Sequence, residues 1–205
     1  MNVYLIASDK YDHLLPGMAY LFNKYWPFNQ KVTVLCYRKP PVSLPYNFVP
    51  VSVGNQEDFG ETWTDALIPF FSALEDEYFM ILLEDYWLVR RVDGGRMSKI
   101  EDEVREGRVD RAELGDGATS PYRFMIRGGD FWYQGQRETY RNSLQPSIWR
   151  KKYFMNFLKP GRSAWDFERI GQEEAGSDGA TIASFPPPTL YEYANVFHRG
   201  EWNAG

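Results

Sequence analysis

Six apolar residues, Tyr78-Phe79-Met80-Ile81-Leu82-Leu83, run directly into two adjacent carboxylates, Glu84 and Asp85. A continuous apolar run of that length reads as a strand buried on both faces, and such strands belong to mostly parallel sheets flanked by helices. In those sheets ligands bind beyond the carboxyl ends of the strands. Glu84 and Asp85 fall at that end, and charges are rarely buried unless paired or bound to a metal. The segment therefore predicts both an architecture and the place of a site that meets a cation or a hydroxyl-rich ligand.

The rest of the chain fits that frame. Residues Val3 to Ala7 read as a first buried strand, and Ser8-Asp9 caps a helix that starts near Tyr11. Leu14, Leu15, Met18, Leu21, Phe22 and Tyr25 recur at helical spacing, and Trp26-Pro27 ends the run. Val32 to Tyr37 and Phe48 to Val53 read as strands. A helix after Gly60 carries Trp63, Leu67, Phe70, Phe71 and Leu74 on one side, with a kink at Pro69. The order strand–helix–strand–strand–helix–strand is an α/β pattern of the nucleotide-binding kind. Beyond Asp93, Met97 to Glu106 reads as a short, mostly solvated helix. Arg108 to Leu114, Tyr122 to Ile126 and Phe131 to Tyr133 read as short strands. Ser143 to Trp149 leads into a helix from Lys151 to Leu158, Trp165 to Glu174 is a further helix, and Leu190 to Phe197 is the last strand. No linker separates the halves, so the 205 residues read as one domain.

Charge and cysteine usage narrow the class. The net charge is −5, which leaves no basic footprint for nucleic acid. The 43% hydrophobic content supports a core, and the 17% aromatic share suits sites that stack on sugar or nucleotide rings. Cys36 is the single cysteine and reads as a buried small hydrophobe, which favours a reducing, cytoplasmic compartment. The N-terminus lacks the basic region of a signal peptide, and no apolar stretch reaches the length of a membrane span.

Four constellations carry candidate chemistry. Hard cations such as Mg2+ and Mn2+ need only one or two protein carboxylates when phosphates complete the shell, a role open to Glu84-Asp85; a helix cap or surface pair is the plainer use of the same residues. Asp166 and Glu168 flank Phe167 at a helix start. There they either complement the helix dipole or supply a general base against an apolar wall. His198 ends the last strand as an ordinary surface residue or a metal ligand, and His13 reads as structural. Asn142 to Arg150 gathers amide, hydroxyl and indole groups, either to hold a sugar or to cap a helix beside a core tryptophan.

Taken in order, the strand ending in Ser8-Asp9, Leu82-Leu83-Glu84-Asp85-Tyr86-Trp87, Ser143-Leu144-Gln145-Pro146-Ser147-Ile148-Trp149-Arg150-Lys151-Lys152-Tyr153 and Trp165-Asp166-Phe167-Glu168 resemble bacterial and viral glycosyltransferase-like proteins of the GT-A fold, over roughly Val3 to Gly200. The resemblance implies a single α/β domain with a Rossmann-type, mostly parallel sheet. Residues 1–93 form its nucleotide-binding half and 94–205 its acceptor and catalytic half. It implies transfer from a nucleotide-sugar, a UDP-sugar first, to a glycan, lipid-linked or other hydroxyl acceptor, with Mn2+ or Mg2+ and inversion at the sugar. Ser8, Asp9, Tyr11, Asp65 and Glu84 would contact the nucleotide, Asp85 and His198 the metal, and Gln145, Trp149 and Trp165 the acceptor; Glu168 or Asp166 would be the base. Enzymes of this kind act on lipid or surface glycans, so membrane contact is expected to be peripheral.

One departure stands out. Tyr86 follows Asp85 where the family's Asp-x-Asp motif puts its second acid. A metal-free enzyme would instead need cations on the diphosphate, and Arg123, Arg127, Arg150 and Lys151 are available. The rival readings are a fold that binds a sugar or nucleotide without catalysis and, more distantly, a metal-dependent phosphoesterase.

Overall fold

The computed structural model describes residues 1–115, 125–198 and 201–203, the side chains of 125–128 and 198 excepted. The apolar run forms β4 (Tyr78–Leu83), and its side chains divide by the two-residue period of a strand. Met80 and Leu82 enter one core, Phe79 and Ile81 the other, all fully buried. Burying each such side chain stabilises the fold by roughly 1.5–3 kcal/mol. Its neighbour β1 (Asn2–Ile6) divides in the same way: Val3 and Leu5 join Met80, Tyr4 and Ile6 join Phe79.

Chain order supplies the other layers. After β1 come a 3-10 segment (Asp9–Leu14), α1 (Leu15–Tyr25), β2 (Val32–Cys36), β3 (Phe48–Ser52), the one-turn α2 (Gln56–Phe59) and α3 (Thr64–Ala73), which retains Pro69 inside. After β4 come β5 (Tyr86–Leu88), α4 (Gly94–Arg105), β6 (Arg111–Glu113), β7 (Met125–Gly128) and β8 (Phe131–Gln134). The chain continues through β9 (Ser147–Arg150), α5 (Lys151–Phe157), α6 (Ala164–Ala175), β10 (Ile182–Ser184), β11 (Tyr193–Asn195), β12 (Phe197–His198) and β13 (Glu201–Trp202). Helices α1 and α4 cover one face of the sheet through Met18, Phe22, Met97 and Ile100. Helices α3, α5 and α6 cover the other through Leu67, Phe71, Phe154 and Phe167.

Among the described residues, nine strands form the main sheet in the order β3-β2-β1-β4-β9-β6-β10-β8-β7. The pairs β3–β2, β2–β1, β1–β4 and β6–β10 are parallel, whereas β9 runs against both β4 and β6. Both halves of the sequence share this one sheet. The chain leaves β1 toward β2 and β3, then returns to place β4 on β1's other flank. The reversal puts a topological switch point at the carboxyl ends of β1 and β4, where Ser8 and Glu84 follow.

Several elements differ from the sequence expectation. Helix α4 is amphipathic rather than mostly solvated, since Met97, Ile100 and Val104 are buried. Ser147 to Arg150 is a central strand, not a helix lead-in, because Ile148 pairs Met80 on one side and Ala112 on the other. Four residues behind a proline carry too little periodicity to announce this. The expected last strand divides into β11, which pairs with β5, and β12, which pairs with β13. Of the strand expected over 122–126, residues 122–124 lie outside the described residues.

Candidate active site

Beyond the switch point opens a cleft of about 670 Å3, with Ser8, Tyr11, Glu84, Asp85, Trp165 and Glu168 on its walls. Residues distant in sequence converge there. Ser8 follows β1, the acid pair follows β4, and Trp165 and Glu168 lie in the first turns of α6.

Glu84 is buried, and its Oε1 accepts a hydrogen bond of 3.4 Å from the Ser8 backbone N–H across the switch point. Burial, then the adjacent Asp85 charge, pushes its carboxyl up to about 8. Its carbonyl is fixed by the Trp87 indole N–H at 3.0 Å. Trp87 in turn lies against Gly17 of α1, where a Cβ would come within 2.2 Å of the ring, so only glycine admits this approach. Burial and the charge of Glu168 raise Asp85 to about 6. The Asp85 carbonyl accepts from Val196 at 3.0 Å. With its amide nitrogen turned inward, Asn195 donates to Asp85 Oδ2 at 3.3 Å and to the Phe197 carbonyl at 2.8 Å.

On the opposite wall Glu168 Oε1 accepts from the Leu144 N–H at 2.7 Å, which fixes one carboxylate oxygen. Asp166 is differently employed. Ser163 caps α6, taking the Asp166 N–H at 3.1 Å and donating its hydroxyl to Asp166 Oδ2 at 2.8 Å; Arg169 holds Oδ1 at 3.1 Å. These bonds lower the Asp166 pKa and leave it off the cleft wall.

Other expected site residues lie elsewhere. Asp9 pairs with Arg38 at 3.3 Å, tying the end of β1 to that of β2. Asp65 accepts from the Gly161 N–H at 2.8 Å and anchors the loop that leads into α6. Trp149 is fully buried in the second core, stacked on Tyr153 and 4.8 Å from the Arg111 guanidinium, so it packs the interior and does not reach the cleft. Gln145 turns its Oε1 into the interior beside Gly115. Arg150 and Lys151 lie at the amino end of β4, opposite the cleft, where Lys151 bonds the carbonyls of Ser72 and Leu74. Arg123 and the side chains of Arg127 and His198 lie outside the described residues. Among the described residues Lys10 is the basic one lining the cleft, with Glu61, Glu84, Asp85 and Glu168 on the same walls. Lys10 and Asn195 were not singled out in the sequence. Lys10 follows the Ser8-Asp9 strand end and was open to that inference, whereas nothing local marks Asn195.

The donor set suits a hard divalent cation. Glu84 and Asp85 offer carboxylate oxygens whose pKa values burial raises, and they make no ion pair among the described residues. No group of three His, Cys, Asp or Glu among those residues could hold a metal by itself, so a cation here would share its shell with ligand phosphates.

No protein-family model matches the chain, and no curated protein matches it. Solved structures do. Residues 1–349 of S. aureus TarS in complex with UDP superpose at a TM-score of 0.56 with 12% identity, covering 94% of this chain and 60% of that one. The same fragment with UDP-GlcNAc gives 0.53 and 11%, covering 98% and 60%. The chain thus spans about three-fifths of the TarS fragment. The protein has a GT-A-like α/β fold, which it shares with the TarS fragment. No helix among the described residues is long and apolar enough to cross a membrane.

Proposed function

We propose that the protein is a glycosyltransferase that moves a sugar from a UDP-sugar to a hydroxyl acceptor with inversion at the anomeric carbon. The observation that carries this reading is the meeting of the β4 acids with Glu168 across one cleft at the switch point. The TarS structures with UDP and UDP-GlcNAc support the choice of donor. Ser8 and Tyr11 bind the nucleotide at the end of β1. Asp85, with Glu84 and His198, would hold Mn2+ or Mg2+, and the ion would supply positive charge to the leaving diphosphate. Glu168, one oxygen fixed by Leu144, takes the acceptor proton on the other. The bonds of Asp166 to Ser163 and Arg169 favour Glu168 over it for that part. The buried, unpaired Cys36 suits action in the cytoplasm.

Calorimetry with UDP tests the donor site. Binding is expected to need Mn2+ and to be lost in Asp85→Asn, while Glu168→Gln keeps it and loses transfer by about 10²–10⁴-fold. Full activity in Glu168→Gln would move the base elsewhere. A second reading, nucleotide binding without transfer, draws on Tyr86: it pairs with Asn195 in a ladder and packs at a tilt against Tyr193, 4.6 Å between ring centres, so the usual second acid is replaced by a packed ring. UDP binding with no transfer or hydrolysis from any donor would favour it.

A further inference from the structure

Large apolar side chains in this protein are mostly spoken for by partners, and Trp165 is an exception. It is 74% exposed and stands on the cleft wall. Trp26, Trp63, Trp87, Trp149 and Trp202 each contact another ring, whereas Trp132 and Trp165 make no ring contact among the described residues, and of these two Trp165 is the exposed one. Leaving an indole in water forgoes the largest apolar burial any side chain offers, so the position makes sense when a ligand covers it.

Trp165 and Glu168 stand three residues apart on α6, a spacing that brings side chains onto one face with their Cβ atoms about 5–6 Å apart. Glu168 is held in place by the Leu144 N–H, and the Ser163 cap with its Asp166 bond stiffens the turn that carries both. The polar groups of Thr62 and Glu61 line the same cleft. The site thus offers a flat apolar platform, a fixed carboxylate beside it and hydrogen-bonding groups around it.

A pyranose ring has that complementary form: a face of C–H groups that rests on an aromatic plane, and an edge of hydroxyls. The charge of the cleft narrows the class further. Glu61 and Glu168 would repel an acceptor that carried phosphate or carboxylate beside its reacting hydroxyl, and among the described residues Lys10 is the basic group on the wall.

Resting on the glycosyltransferase reading, we infer that the acceptor is an uncharged glycan whose terminal pyranose stacks on Trp165 and presents a hydroxyl to Glu168. In the reaction that hydroxyl gives its proton to Glu168, its oxygen bonds to the donor's anomeric carbon, and the bond from that carbon to the diphosphate breaks, UDP leaving with the electron pair.

The test titrates cellotriose, maltotriose and N,N′,N″-triacetylchitotriose, with trigalacturonate as the charged counterpart, against UDP-loaded protein, read by tryptophan fluorescence and saturation-transfer NMR. At least one neutral trisaccharide is expected to bind. Trp165→Ala should weaken that binding about tenfold, Trp165→Phe should restore part of it, and UDP affinity should be the same in all three proteins. Glu168→Gln should still bind the trisaccharide. Overturning outcomes are no binding by any neutral trisaccharide while UDP binds normally, preference for trigalacturonate, or trisaccharide binding indifferent to Trp165→Ala. Failure of UDP itself to bind would instead strike the glycosyltransferase reading, which separates the two.

Discussion

At the scale of single residues, the site is defined by carboxylates held against their preference to ionise. Glu84 has a folded pKa of about 8 against 4.5 for a free glutamate. A raised acid binds its proton more tightly in the folded state than in the unfolded one. Its contribution to stability is therefore complete below the unfolded value and is lost as pH rises through the folded value. Asp85, raised from 3.8 to about 6, acts the same way over a lower window. Metal-free protein should lose on the order of a few kcal/mol of unfolding free energy between about pH 5 and about pH 9. Glu84→Gln should remove the part of that slope above about pH 6. Urea titrations across this range check it, and an unaltered slope in the variant would place the titrating group elsewhere.

At the scale of elements, α6 matters most, since one helix start carries the cap, the exposed indole and the anchored carboxylate. Ser163→Ala removes an N-cap and should cost about 1 kcal/mol of stability. Asp166 then loses its hydroxyl partner, but Glu168 keeps its bond to Leu144, so UDP affinity should not change. Denaturant unfolding and calorimetry measure the two effects, and a collapse of UDP binding would show that the cap reaches the nucleotide. The helix start was legible, because acids such as Asp166 and Glu168 in a first turn complement the helix dipole. Which of the two acids faces the cleft was not legible. Both lie in the first turns, and the choice rests on Leu144, a residue far away in the chain.

Across the whole molecule, the buried arginines show how the second half is knit together. Arg141 is fully buried and donates to the carbonyls of Gln134, Gly135, Ala175 and Ala180, with Asp178 as its counter-charge at 3.1 Å. It joins β8, the end of α6 and the turn before β10. Arg141→Met would leave those carbonyls without their donor and Asp178 without its counter-charge, and should cost about 3–5 kcal/mol, read from urea unfolding. A loss under about 1 kcal/mol would mean that water replaces the guanidinium readily.

The sequence by itself determined what depends on neighbours along the chain. The apolar run of β4, its two-sided burial and the acids at its end follow from composition over a few residues, and with the helical spacing of α1 they imply a layered α/β sheet with a site at the strand ends. What only the tertiary structure decided depends on contacts across long separations. The insertion of β9 beside β4 made Trp149 a core residue instead of a ligand platform, because hydrogen bonding on both edges draws that strand into the interior. The loop anchored by Asp65 and the bond from Leu144 to Glu168 place the α6 carboxylate opposite Asp85. Residue type sets which groups are able to do chemistry, and the packing of distant elements sets which of them meet.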